Sequence, residues 1–156
     1  HWGRAHTRSG TQGGRAVVQG LILGALLLAV FCAGALVVGR VSVLREPVDR
    51  LLDHARFGSV AAVAAVTVIN GVAEELFFRG AVYAALPRRW ALSGSTVIYG
   101  VSTVFSGVPL LTFAAVVLGV LTGAQRRVTG GVLGPIVCHL TWSLGMLLLL
   151  PVVLTG

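Results

Sequence analysis

Residues 71–80 read GVAEELFFRG, with two adjacent carboxylates, Glu74 and Glu75, and the guanidinium of Arg79 inside an otherwise apolar stretch. From Phe57 through Ala73 no residue is charged. A charged group at the centre of a bilayer costs at least ~2.5–3.5 kcal/mol even on the most lenient insertion scale. Three such groups within six positions therefore need a reason. Glu75 and Arg79 are spaced i,i+4 with the acid first, the favourable order for an ion pair on a helix. Glu74 is rotated by about 100° from Glu75, and its own face carries Asn70, four residues earlier. The spacing gives Glu75 a partner on its own helix and leaves Glu74 to point into the bundle.

A simple ruler identifies what Glu74 meets. Glu74 lies fourteen residues before Arg88, His139 twelve after Arg127, and Thr103 fourteen after Arg89. At 1.5 Å per helical residue all three fall ~18–21 Å from these arginines. His139 is the one histidine within a predicted span, and Ser143 follows one turn along its face. A carboxylate in a sheltered pocket of low dielectric can act as a general base on water. An imidazole opposite can stabilise the oxyanion formed when that water attacks a peptide carbonyl. These are the minimum parts of a water-activating peptidase that forms no covalent intermediate. The blander readings make Glu75 and Arg79 a structural pair, and Asn70, Thr103 and Ser143 hydrogen-bonded helix–helix contacts. One histidine with two carboxylates and no HExxH is thin for zinc, and no cofactor is called for. His139 and Ser143 lack a third group to orient the base of a Ser/His pair. Cys32 and Cys138 lie in apolar segments and read as small buried residues.

The elements that position these groups follow from composition. The chain has 156 residues, 56% hydrophobic and 11% charged, against about 25% charged in a soluble domain. The expected fold is all-α, a polytopic transmembrane helix bundle of about five spans, because only helices satisfy their own backbone in hydrocarbon. Residues 1–15 are Gly-rich and basic and read as a disordered tail. A first span covers about 16–39, and 40–56 reads as an interfacial loop with a short amphipathic helix starting near Pro47. Residues 57–153 form the membrane core, with spans over about 57–86, 90–106, 109–124 and 131–153. The fourth of the five is short, at about 16 residues, and the third is little longer, as re-entrant or sheltered helices are. The chain opens at His1 rather than Met, as a fragment or processed product would. Its first apolar run is too long for a signal-peptide core of about 7–15 residues. Small residues at four-residue spacing, Gly20 with Gly24 and Gly119 with Gly123, permit close helix contact.

All twelve cations are arginines, and the net charge is +7. With five spans, Arg4, Arg8, Arg15, Arg88, Arg89, Arg126 and Arg127 share one side, and Arg40, Arg45, Arg50 and Arg56 the other. The positive-inside rule makes the first side, and the N-terminus, cytoplasmic. No basic stripe with interleaved aromatics suggests a nucleic-acid partner. The expected partners are the lipid bilayer and a membrane-associated peptide or protein substrate.

Glu74-Glu75-x-x-x-Arg79 in a membrane helix resembles the first motif of the CAAX protease and bacteriocin-processing (CPBP, or Abi) family of intramembrane glutamic endopeptidases, which includes the type II CAAX prenyl proteases. The downstream TGGVLGPIVCHLTWS is similar to the family's last motif, a small-residue-rich approach to HxxxN, and the likeness covers about residues 57–150. The resemblance implies that Glu74 activates the water, Glu75 and Arg79 support it, and His139 helps stabilise the oxyanion. Two positions depart from the pattern. The middle motif, FxxxH, is matched by YGVST, placing Tyr99 and Thr103 at its ends, and the last motif ends in Ser143 instead of asparagine. Loss of a general-base partner costs about 10²–10⁴ in rate. The expectation is therefore a slow peptidase, or a degenerate relative acting as a non-catalytic membrane adaptor or bacteriocin-immunity-type protein on the same fold. A small transporter or channel is the remaining reading, poorly matched by five spans without a repeat.

Overall fold

A computed structural model of the chain describes residues 10–38 and 59–155. It is all-helical there: α1 (Gly10–Val38), α2 (Val60–Glu74, continued by Glu75–Val82 and Tyr83–Ala85), α3 (Ala91–Val104), α4 (Pro109–Thr129) and α5 (Leu133–Thr155). Four of these are long and apolar enough to cross a membrane, and α3 is a shorter apolar helix. The interfacial loop expected over 40–56 and residues 1–9 of the tail lie outside the described residues.

The distribution of polarity is inverted relative to a water-soluble bundle. Glu75, Arg79, Ser95, Thr96, Thr122, Gln125 and His139 are buried, whereas Val18, Val66, Val97, Phe113 and Leu148, one from each helix, are more than half exposed. In water this would be costly on both counts; in a bilayer the apolar exterior meets acyl chains and the polar groups find one another inside. The chain is an integral membrane protein.

Helices α1 and α5 run parallel. Gly20 lies against Gly134 and Val137, Gly24 against Cys138 and Thr141, and Leu28 against Gly145. A Cβ at Gly20 would stand 2.7 Å from the Gly134 carbonyl oxygen, and one at Gly24 2.6 Å from that of Cys138. Only glycine lets the two backbones approach this far, so the spacing read from the sequence does form a helix–helix seam. The other helices alternate in direction. Glu74 and Phe78 of α2 meet Tyr99 of α3, Gly100 meets Val116 of α4, and Gln125 meets Gly134 of α5. Arg15, Arg88, Arg89, Arg126 and Arg127 consequently gather toward one end of the bundle.

Helix boundaries differ from the expected spans at two places. The first helix begins at Gly10, so residues 10–15 extend the first span instead of belonging to the tail; once a helix is nucleated, adding a turn costs little. The fourth helix does not stop at 124 but continues through Arg126 and Arg127 to Thr129. Gln125 is buried, and Arg126 Nε donates to the Arg79 carbonyl oxygen at 3.0 Å, so both residues belong to the packed helix. Gly130, at φ 71°, supplies the left-handed stop. Helix α4 is therefore a full 21-residue span. The third helix stays short and is sheltered: Ala91, Ser95, Thr96, Tyr99 and Gly100 form a buried stripe at helical spacing.

Ser59 caps α2 by accepting from the Ala62 amide at 3.1 Å. From Glu75 to Val82 the helix then widens into a π-helix. Such segments are rare and concentrate at functional sites. This one contains Glu75 and Arg79, and it sets their direction: Glu75, Phe78 and Arg79 are buried while Leu76 and Phe77 are exposed.

Candidate active site

The π-helical stretch of α2 faces α3 and α5 and brings Glu74, Glu75, Arg79, Tyr99 and His139 together. Glu75 is fully buried. Its Oε1 lies 2.9 Å from His139 Nδ1 and 3.2 Å from Arg79 Nη1. An ionised carboxylate only accepts, so the Nδ1 hydrogen points at Glu75 and fixes the ring. That leaves Nε2 on the side of Glu74, 4.0 Å from its Oε2. This separation is too long for a direct hydrogen bond.

Glu74 is the less buried of the two acids, its side chain 37% exposed. Its Oε2 accepts a 2.5 Å hydrogen bond from the Tyr99 hydroxyl, a length typical of an O–H donor to a charged oxygen. The sequence reading gave Glu75 only Arg79 and sent Glu74 to meet His139. In the structure Glu75 contacts the imidazole directly, and Glu74 reaches it only across the 4.0 Å gap. Rotation within one helix does not foresee this, because the partner is set by where α5 packs against α2.

Arg79 is buried beside the Tyr99 ring, with Cζ 4.6 Å from its centroid. Nη1 stands close to Glu75 Oε1 without the alignment of a hydrogen bond. Charge attraction and the aromatic face therefore hold this side chain. The Arg79 carbonyl, in turn, receives Arg126, so the end of α4 is fastened to the π-helix.

The remaining predicted positions are not brought in. Asn70 is exposed. Thr103 bonds the carbonyls of Tyr99 and Gly100, at 3.1 and 2.8 Å, and spends its hydroxyl on its own helix. Ser143 approaches the Leu140 carbonyl at 3.5 Å. Cys138 is buried and Cys32 partly so, both as free thiols. Among the described residues no three His, Cys, Asp or Glu side chains are grouped to hold a metal ion.

Of the four pocket or substituted-motif positions expected from the sequence, Tyr99 alone reaches the cluster, as a phenol in an apolar helix that needs a partner for its hydroxyl. Arg126 was read as a loop charge, and only the helix running on to Thr129 shows otherwise.

The arrangement offers a partly accessible carboxylate, an oriented imidazole 4.0 Å from it, and a buried acid–guanidinium pair behind them. Comparison with curated proteins and with solved structures returned no match. The family model described as type II CAAX prenyl endopeptidase Rce1-like matches residues 56–145, which is more than half of the chain and includes every residue of this cluster. The chain belongs to the type II CAAX prenyl endopeptidase Rce1-like family.

Proposed function

We propose that this protein is an intramembrane endopeptidase in which the Glu74 carboxylate activates a water molecule held between it and His139. One observation carries the reading: Glu74 Oε2 and His139 Nε2 face each other at 4.0 Å. Glu74 takes a proton from the water as its oxygen attacks the peptide carbonyl carbon. His139, oriented through Nδ1 by Glu75 and protonated on both ring nitrogens, offers its Nε2 hydrogen to the developing oxyanion. Collapse of the tetrahedral intermediate breaks the C–N bond, and the proton on Glu74 passes to the leaving amine. Glu75 and Arg79 hold the imidazole and the π-helix in position.

The exposure of Glu74, beside the exposed Ala73 and Phe77, supports a substrate that reaches the site from within the membrane. The family name points to a prenylated C-terminal peptide. The arginines gathered at one end of the bundle support a cytoplasmic N-terminus, with cleavage near the cytoplasmic face. The bacterial plasma membrane is the setting we propose.

The test is cleavage of a membrane-peptide library by the purified chain and by Glu74→Gln. Cleavage by the native chain and a loss of about 10²–10⁴ in the variant are expected; equal cleavage by both rules the mechanism out. A second reading, a non-catalytic membrane adaptor, draws on Thr103, whose hydroxyl is turned to its own backbone where the family's middle motif has histidine. It predicts that both forms bind library members equally and that neither cleaves them.

A further inference from the structure

The stretch YGVST places Tyr99 and Thr103 one helical turn apart on α3. Only one of the two side chains reaches the acid. Thr103 is engaged with the Tyr99 and Gly100 carbonyls, while the Tyr99 hydroxyl donates to Glu74 Oε2 at 2.5 Å. The tyrosine itself has little freedom. It is 4% exposed, its ring lies 4.6 Å from the Phe78 ring and 4.6 Å from the Arg79 guanidinium carbon. A ring packed in this way fixes where its hydroxyl stands, and the hydroxyl then fixes one oxygen of the carboxylate. The same oxygen, Oε2, also faces His139 Nε2 at 4.0 Å, and its second lone pair remains for the water proposed there.

We infer that Tyr99 is the positioning residue of Glu74: its hydroxyl holds the carboxylate toward His139. This deepens the peptidase reading and rests on it. Its physical content, a phenol that sets the carboxylate, is measurable without any turnover.

Tyr99→Phe removes one oxygen and keeps the ring that packs on Phe78 and Arg79. In native chain labelled with ¹³C-glutamate, the Glu74 carboxylate band in the infrared is the one lost in Glu74→Gln. That band is expected to shift in Tyr99→Phe while thermal unfolding changes little. With the best-cleaved library peptide, kcat is expected to fall about 10-fold or more with KM within about twofold, as for a group acting only on the transition state. An unshifted band overturns the assignment whether or not the chain cleaves anything, and so does an unchanged kcat in a chain that cleaves. A shifted band in a chain that cleaves nothing supports the placement of the carboxylate and overturns the peptidase reading alone.

Discussion

The α1–α5 seam and the centre between α2, α3 and α5 are built on opposite principles. Along the seam, Gly20 and Gly24 let backbone meet backbone, with a Cβ at either position standing under 3 Å from a carbonyl oxygen. Shape alone sets the fit. In the centre, Glu75, Arg79 and His139 are buried together with few well-aligned hydrogen bonds. Desolvating such charges is expensive, and their mutual attraction recovers the cost only when every partner is present. The seam can be damaged by adding atoms and the centre by removing them. A helical membrane protein needs only the first kind of contact to assemble, which is why the second kind points to chemistry.

That contrast can be broken at graded strength. The greatest separation of activity from stability is expected for Glu74→Gln, since Glu74 is partly exposed and outside the buried ion pair. Next is Glu75→Ala, which strands Arg79 in the interior and is expected to cost about 3–5 kcal/mol, read from denaturant unfolding in micelles. Replacing Glu75 and Arg79 together by methionine sharpens the point: most of the stability should return, because a buried pair exchanged for apolar residues is often neutral, while cleavage stays lost. Gly24→Leu is expected to cost about 1–3 kcal/mol by overpacking the seam, with the surviving folded fraction cleaving at the native rate. Arg126→Gln, which removes the bond to the Arg79 carbonyl, should be the mildest, at about 0.5–1.5 kcal/mol. If Gly24→Leu slowed turnover as much as it lowered stability, the seam and the centre would not be independent.

The same contrast explains what the sequence disclosed. Gly20 and Gly24 were legible because small residues at four-residue spacing act through local geometry. Glu74, Glu75, Arg79 and His139 were legible because ionisable groups are scarce in apolar spans. The pairing among them was not. Rotation along α2 cannot foresee where α5 packs, and that placement decides which acid lies flush against the imidazole. The role of Tyr99 was hidden for a related reason: its hydroxyl finds Glu74 through tertiary packing 25 positions away in the chain. The end of α4 was misplaced because Arg126 and Arg127 carry the signature of a loop, and only the carbonyl that Arg126 finds in space makes them helical.

The bond between Glu75 and His139 joins residues 64 positions apart. At a ribosomal rate of about 5–20 residues per second, His139 is made about 3–13 s after the acid it will meet. Helix α2 thus enters the membrane as the nascent chain's most awkward passenger, its charges waiting for a helix not yet translated. Insertion of α5 is then the event that closes the interior, and shortening the chain before that helix would leave α2 exposed to quality-control proteases.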